Sequence, residues 1–315
     1  MIVFVGALAV GATGAFFSDT ETSTGNTFTA GALDLKVDSE AHYNGKICIP
    51  NTQENPQVEG DEFVWGSGSA VWPITGTPCE GTWTETDLGA QHQFFNLTDV
   101  KPGDVGENTI SLHVYDNDAW GRFVISEVED VDNDCTEPEE ESLNDSCTVL
   151  APELVTPGSG ELAESVTFSA WIDDGSIPGF QGPEDQGEGD NVQQEGEVTI
   201  IQPGTVDEPG ETHNIWEALA AYRASLGTTC DVEGGDTDGN GQTDNDGTPS
   251  EDDYGICQGL ADDGRMVGST TYYFGLDWSV PTSVGNEAQT DSLNATLGFE
   301  VEQHRNNPVA FGPEI

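Results

Sequence analysis

Apolar residues at every second position confine a segment to a half-buried strand, because successive side chains of an extended backbone point to opposite faces. The chain closes on two such runs: Tyr272, Phe274, Leu276 and Trp278, then Leu293, Ala295, Leu297, Phe299 and Val301. The same period runs through Leu33, Leu35 and Val37, through Ile110, Leu112 and Val114, and through Val166–Ile172. Shorter strands are expected at Arg122–Ser126 and Glu197–Ile201. One segment breaks the pattern: Ile215, Leu219, Tyr222 and Leu226 recur at helical spacing, and Gly227 follows as a stop. About eight strands against one short helix predict an all-β sandwich with long loop insertions.

Those insertions fall at about 40–90, 127–160 and 227–265, and they concentrate the charge. The chain holds 59 acidic residues against 7 Lys+Arg, a net charge of −52 at pH 7. Nucleic acid and anionic lipid are therefore repelled, with no basic patch to overcome it. At molar salt the screening length falls to ~3 Å and self-repulsion is largely screened, so the composition predicts a protein of a high-salt habitat. A disordered acidic chain is excluded because the aromatic residues, 7 Trp and 13 Phe among them, follow strand patterns.

Six cysteines occur as sequential neighbours: Cys48 and Cys79, Cys135 and Cys147, Cys230 and Cys257. Sequence alone leaves the connectivity open. Pairing between neighbours is the favoured reading, because each pair brackets one polar insertion and would staple its base. No Cys-x-x-Cys spacing supports a redox or zinc role.

Met1–Ala15 is apolar and uncharged, with Thr13 and Ala15 placed as the small residues of an export cleavage site, although the positive leading region of a signal peptide is missing. Fifteen helical residues span ~22 Å, short of the ~30 Å hydrocarbon core, so a removed signal is expected rather than a permanent membrane span. Secretion follows, and with it disulfides.

Ala15-Phe16-Phe17-Ser18-Asp19, followed by Thr29-Ala30-Gly31-Ala32-Leu33-Asp34-Leu35, resembles the mature N-terminus of the TasA/camelysin family. Its members are secreted biofilm-fibre subunits related to archaeal bundling pili. Weaker similarity covers 94–128, with Lys101-Pro102-Gly103-Asp104, and 277–307. The resemblance implies a jelly-roll-like sandwich, 26–315, whose N-terminal segment 16–25 becomes a strand of the neighbouring subunit. Phe16, Phe17, Ser18, Asp19, Thr20 and Glu21 would then carry polymerisation, and the partner is a second copy, added head-to-tail.

Asp236, Asp238, Asn240, Gln242 and Asp244 place oxygen side chains in a tight loop, with Gly241 at the turn, in the spacing of a Ca2+ loop. Gly247 replaces the closing Glu, so a solvated acidic loop is the competing reading. Asn96, Asn144 and Asn294 open N-glycosylation tripeptides, Asn144 being the best placed in a loop. The five histidines are isolated, which leaves a camelysin-like peptidase without a zinc ligand set. No nucleophile elbow or phosphate-binding loop occurs, so no enzyme is expected. Trp65, Trp72 and Trp83 read as loop anchors, or else as a sugar-stacking platform. A filament subunit is the leading expectation. A monomeric Ca2+- or glycan-binding surface module is the alternative.

Overall fold

In a computed structural model the described residues are 21–23, 26–29, 34–52, 62–89, 92–97, 99–115, 117–133, 136, 138–139, 160–181, 185–205, 211–227, 257–307 and 309–312. Thirteen strands follow in chain order. The first seven are β1 (Glu21–Ser23), β2 (Asn26–Thr29), β3 (Asp34–Tyr43), β4 (Lys46–Pro50), β5 (Phe63–Trp65), β6 (Trp83–Thr86) and β7 (Val105–Tyr115). They continue as β8 (Ala119–Val131), β9 (Thr167–Ile172), β10 (Thr199–Thr205), β11 (Glu211–Asn214), β12 (Thr270–Ser279) and β13 (Ser292–Gln303). Helices α1 (Leu162–Ser165) and α2 (Ile215–Leu226) complete the set, with a 3-10 turn at Asn286–Ala288.

Two sheets result. One runs β1-β2-β13-β8-β11; the other runs β10-β9-β12-β7-β3-β4-β5, with β6 also pairing to β3. From β7 onward the chain crosses repeatedly between them, giving the all-β sandwich that the alternating sequence predicts. Tyr272, Phe274, Leu276 and Trp278 are all buried, as are Leu297, Phe299 and Val301 opposite. Phe299 meets Phe274 of the facing sheet at 6.1 Å between ring centroids and Phe94 at 6.4 Å, a tilted and an edge-on contact that join the layers.

The period-two pattern under-reads β3. Leu35, Val37, Ser39, Ala41 and Tyr43 all point inward, and the polar Ser39 hides the last three from a hydrophobic count. Ser39 is tolerated because its hydroxyl accepts a hydrogen bond from Asn108 Nδ2 at 3.0 Å. The segment read as an insertion, 40–90, thus contributes the end of β3 and strands β4, β5 and β6. Cys48–Cys79 closes it, a pairing of sequential neighbours. Cys257 is also disulfide-bonded; Cys135, Cys147 and Cys230 lie outside the described residues.

Helix α2 buries Ile215, Leu219 and Tyr222 against the sandwich and ends at Gly227, whose φ of 56° favours a residue without Cβ. Lys101–Asp104 forms the expected turn: the Asp104 N–H donates to the Lys101 carbonyl at 2.9 Å, and Gly103 sits at φ 95°. No helix among the described residues is long and apolar enough to cross a membrane.

Candidate functional site

Strand β13 is paired with β8 along its whole length but is only partly covered on its other edge. Antiparallel pairing to β8 spans Ser292 to Gln303. On the far side, among the described residues, β2 runs parallel and pairs with Leu297 to Glu300. Continued straight, the residues before Asn26 would pass along Ser292–Thr296. Instead β1 doubles back on β2, pairing Glu21 with Phe28 and Ser23 with Asn26. Among the described residues, the edge Ser292–Thr296 therefore has no strand beside it. Bare backbone donors and acceptors of this kind template the addition of another chain.

The bare edge adjoins a cleft of about 1700 Å³ between the two sheets. Its floor is Ile125 and Leu297 from one sheet, Phe168 and Trp278 from the other. Half-buried Phe95, Leu97, Val128, Val166, Val284 and Ala295 form the walls. A bulge shapes the β8 side: Asn294 faces Glu129 and Thr296 faces Ser126, so Glu127 and Val128 together oppose Ala295. Glu127 takes a φ of 51° there, the strain of that extra residue. Polar and charged groups, Asn96, Lys101, Glu127 and Glu129 among them, stand around this apolar floor. Small-molecule pockets occupy ~300–1,000 Å³, so a cleft of this size suits a chain segment better.

The chain matches no family model, no curated protein and no solved structure. Its similarity to the TasA/camelysin family thus rests on the motifs quoted above.

Of the residues expected to carry polymerisation, Glu21 lies on β1, in the hairpin with β2. Phe16, Phe17, Ser18, Asp19 and Thr20 lie outside the described residues, as do Asp236, Asp238, Asn240, Gln242, Asp244 and Asn144. Asn96 and Asn294 are both exposed and both line the cleft. Trp65 packs on Tyr43 at 5.9 Å, and Trp83 packs on His92 and Phe94 at 5.3 and 5.0 Å, which are anchoring contacts. Trp72 is the exposed ring of the three. Among the described residues no histidine joins a group of three potential metal ligands.

Sequence reasoning missed a group that could hold a metal ion: Asp132, Glu139 and Asp291, whose oxygens lie within 4.8 Å of one another. They come from the end of β8, the loop beyond it and the residue before β13. No local spacing connects them, so only the pairing of β8 with β13 reveals the cluster.

A second acidic centre organises the loop 173–197. Asp173 accepts N–H bonds from Gly189 and Asn191, each at 3.1 Å, and Asp174 accepts one from Gly179 at 3.0 Å. Asp185 accepts from Ile177 at 2.8 Å, and Glu197 from Gly175 and Gln194 at 3.1 and 2.7 Å. The loop is built by turning its amides inward onto carboxyl groups. Burial nevertheless pushes Asp173 and Asp174 up to about 6 and Glu197 up to about 8.

A carboxyl whose pKa is raised by folding binds more protons folded than unfolded, so its contribution is present at low pH and is lost as pH rises through the folded value. Asp173 and Asp174, both wholly buried, each withdraw on the order of 3 kcal/mol on ionising, at about 1.4 kcal/mol per unit. At constant molar salt the melting temperature is expected to fall as pH rises from about 4 to about 8, the reverse of ordinary acid denaturation. A melting temperature that climbs across that window contradicts the assignment.

Proposed function

We propose that the protein is a secreted structural subunit of an extracellular filament, a halophilic biofilm-matrix or pilus fibre. Each copy places its N-terminal segment, Phe16 to Gly25, against β13 and into the cleft of the next copy. The observation that supports this reading is the edge Ser292–Thr296, bare among the described residues, standing beside a cleft of about 1700 Å³ with an apolar floor. Strand addition would satisfy that edge's backbone groups, and two phenylalanine rings would enter the cleft. Each ring buries roughly 150–200 Å², which at ~25 cal/mol per Å² contributes several kcal/mol for the pair before ordering costs. Donation requires the β1–β2 hairpin to open, exchanging three residue pairs within one chain for pairing along the next. The contact is head-to-tail, does not close on itself and generates a fibre.

On this reading the role is structural rather than catalytic, and any Ca2+ bound by the chain's all-oxygen loops is a structural ion. Glycans on Asn96 or Asn294 would stand in the path of the incoming strand, since both line the cleft. Glycopeptide mass spectrometry of assembled fibres is therefore expected to find sugar at Asn144 and none at the other two. Phe16→Asp with Phe17→Asp should yield a folded protein that stays monomeric on sizing in molar salt and forms no fibres by electron microscopy. Normal fibres from that double variant would sink the reading.

A further inference from the structure

Acidic residues make up 59 of the 315, yet residues 41–53 and 63–79 contain none. These two stretches meet at one end of the sandwich, where the β3–β4 turn, the loop after β5 and the start of β7 come together. The Asn44 side chain joins the three pieces: its Nδ2 donates to the Trp72 carbonyl at 3.2 Å, and its Oδ1 accepts the Val105 N–H at 3.0 Å. The carboxylates at the border are engaged. Asp104 accepts hydrogen bonds from the Tyr43 hydroxyl at 2.8 Å, from Asn44 Nδ2 at 2.9 Å and from the Lys101 N–H at 2.8 Å, and Asp99 pairs with Lys101.

Burial is inverted at this end. In β4 the charged Lys46 is 3% exposed, whereas its apolar neighbour Ile47 is 39% exposed. Lys46 Nζ turns inward and donates to the Pro73 carbonyl and the Thr75 hydroxyl, and that hydroxyl donates in turn to the Gly66 carbonyl. Backbone bonds brace the same loop: the Gly76 N–H donates to the Trp65 carbonyl at 2.7 Å, and the Trp65 N–H to the Thr77 carbonyl at 2.9 Å. Polar groups thus hold the loop from within and leave its apolar side chains in solvent. Val71 is 92% exposed and Ile74 54%, with Trp72 and Val105 exposed as well. Apolar groups presented to water on a braced frame mark a contact surface.

We propose that this end pairs with the same end of a second copy, in a weak two-fold contact made by Ile47, Val71, Trp72, Ile74 and Val105 of each chain. Charge selects the partner. An acidic face set against these residues would strip water from its carboxylates and offer them no free cation, since Lys46 is already bonded inward. Two acid-free ends facing each other bring no pair of carboxylates into contact and keep both acidic bodies of a −52 chain on the outside. At molar salt the ~3 Å screening length removes the residual repulsion between those bodies, and apolar burial drives the contact. The exposed apolar area is roughly that of the ~300–600 Å² patches monomers carry, short of the ~800 Å² per partner of a stable interface. The pair therefore dissociates at the micromolar concentrations of a sizing column and forms at millimolar ones. A self-complementary contact closes after two copies, unlike head-to-tail strand exchange. It uses different residues and stands whether or not strands are donated.

Sedimentation equilibrium in molar NaCl tests the contact on the full chain carrying Phe16→Asp and Phe17→Asp, so that fibres do not mask the mass. Between micromolar and millimolar protein the mean mass is expected to rise from one chain to two and level off there. Val71→Asp with Ile74→Asp, added to that chain, should hold the mass at one chain throughout and leave the near-ultraviolet circular dichroism unchanged. Ile47→Asp, on β4 rather than on the loop, should do the same, and it decides the matter should the double variant misfold. A single-chain mass at every concentration overturns the proposal, as does pairing that survives the substitutions or growth beyond two chains. Phosphatidylcholine vesicles in the same salt should not carry the protein down. Co-sedimentation that Val71→Asp with Ile74→Asp abolishes would assign this end to a lipid surface and overturn the pairing. Fibres that persist in the Phe16→Asp, Phe17→Asp chain count against strand donation alone, and the pairing is then read in the supernatant after they are pelleted.

Discussion

Dilution from molar salt into ~0.15 M salt is expected to unfold the protein. The net charge of −52 is carried by a chain of 33.4 kDa, and most of its few cations are already engaged locally. Lys36 pairs with Asp34 and Asp87, Arg122 with Glu300, Arg265 with Asp118 and Asp263. Lys46 is buried and donates to the Pro73 carbonyl and the Thr75 hydroxyl rather than to a carboxylate. The remaining carboxylates repel. Two like charges ~10 Å apart in water repel by ~0.4 kcal/mol, and tens of such pairs exceed the ~5–15 kcal/mol stability of an ordinary domain. At molar salt the ~3 Å screening length removes most of that sum; at ~0.15 M it is ~8 Å and removes much less. Near-ultraviolet circular dichroism followed against salt concentration should show a cooperative loss of signal on dilution. Retention of native signal at low salt would mean that the acidic surface is balanced in some other way.

Removing residues 1–25 is expected to abolish filaments while leaving the fold intact. Among the described residues strand β1 pairs with its sheet through β2, over three residue pairs at the edge. Strand β2 keeps its pairing with β13 from Leu297 to Glu300, and the described core residues, from Leu35 to Val301, are all retained. The truncated chain should therefore melt within a few degrees of the full chain in molar salt. It retains the cleft and the bare edge but has nothing to donate. Electron microscopy should show no fibres, and a synthetic peptide with the sequence of Phe16–Gly25 should bind the truncated chain saturably. Normal fibres from the truncation would leave the strand-donation reading without a basis.

How much of this was legible in advance depends on whether the signal is local. Alternation along 272–278 and 293–301 marked buried strands because a pleated backbone sorts side chains by parity alone, whatever lies opposite. Helix α2 was legible for the same reason, with Ile215, Leu219 and Tyr222 on one face and Gly227 as its end. Strand β3 was read short because Ser39 is a core position whose acceptance depends on Asn108, sixty-nine residues away in sequence.

By itself the sequence determined the all-β sandwich, the extreme surface charge and the bracketing of an insertion by Cys48 and Cys79, since each follows from residue type and near-neighbour spacing. Which strand edge stays bare, where the sheets leave a cleft and which carboxyl groups meet were decided only in three dimensions. Those features depend on the register of β2 and β8 against β13. Register brings Asp130 to Leu293 and Val131 to Ser292 across a gap of more than a hundred and fifty residues, which no pattern along the chain encodes.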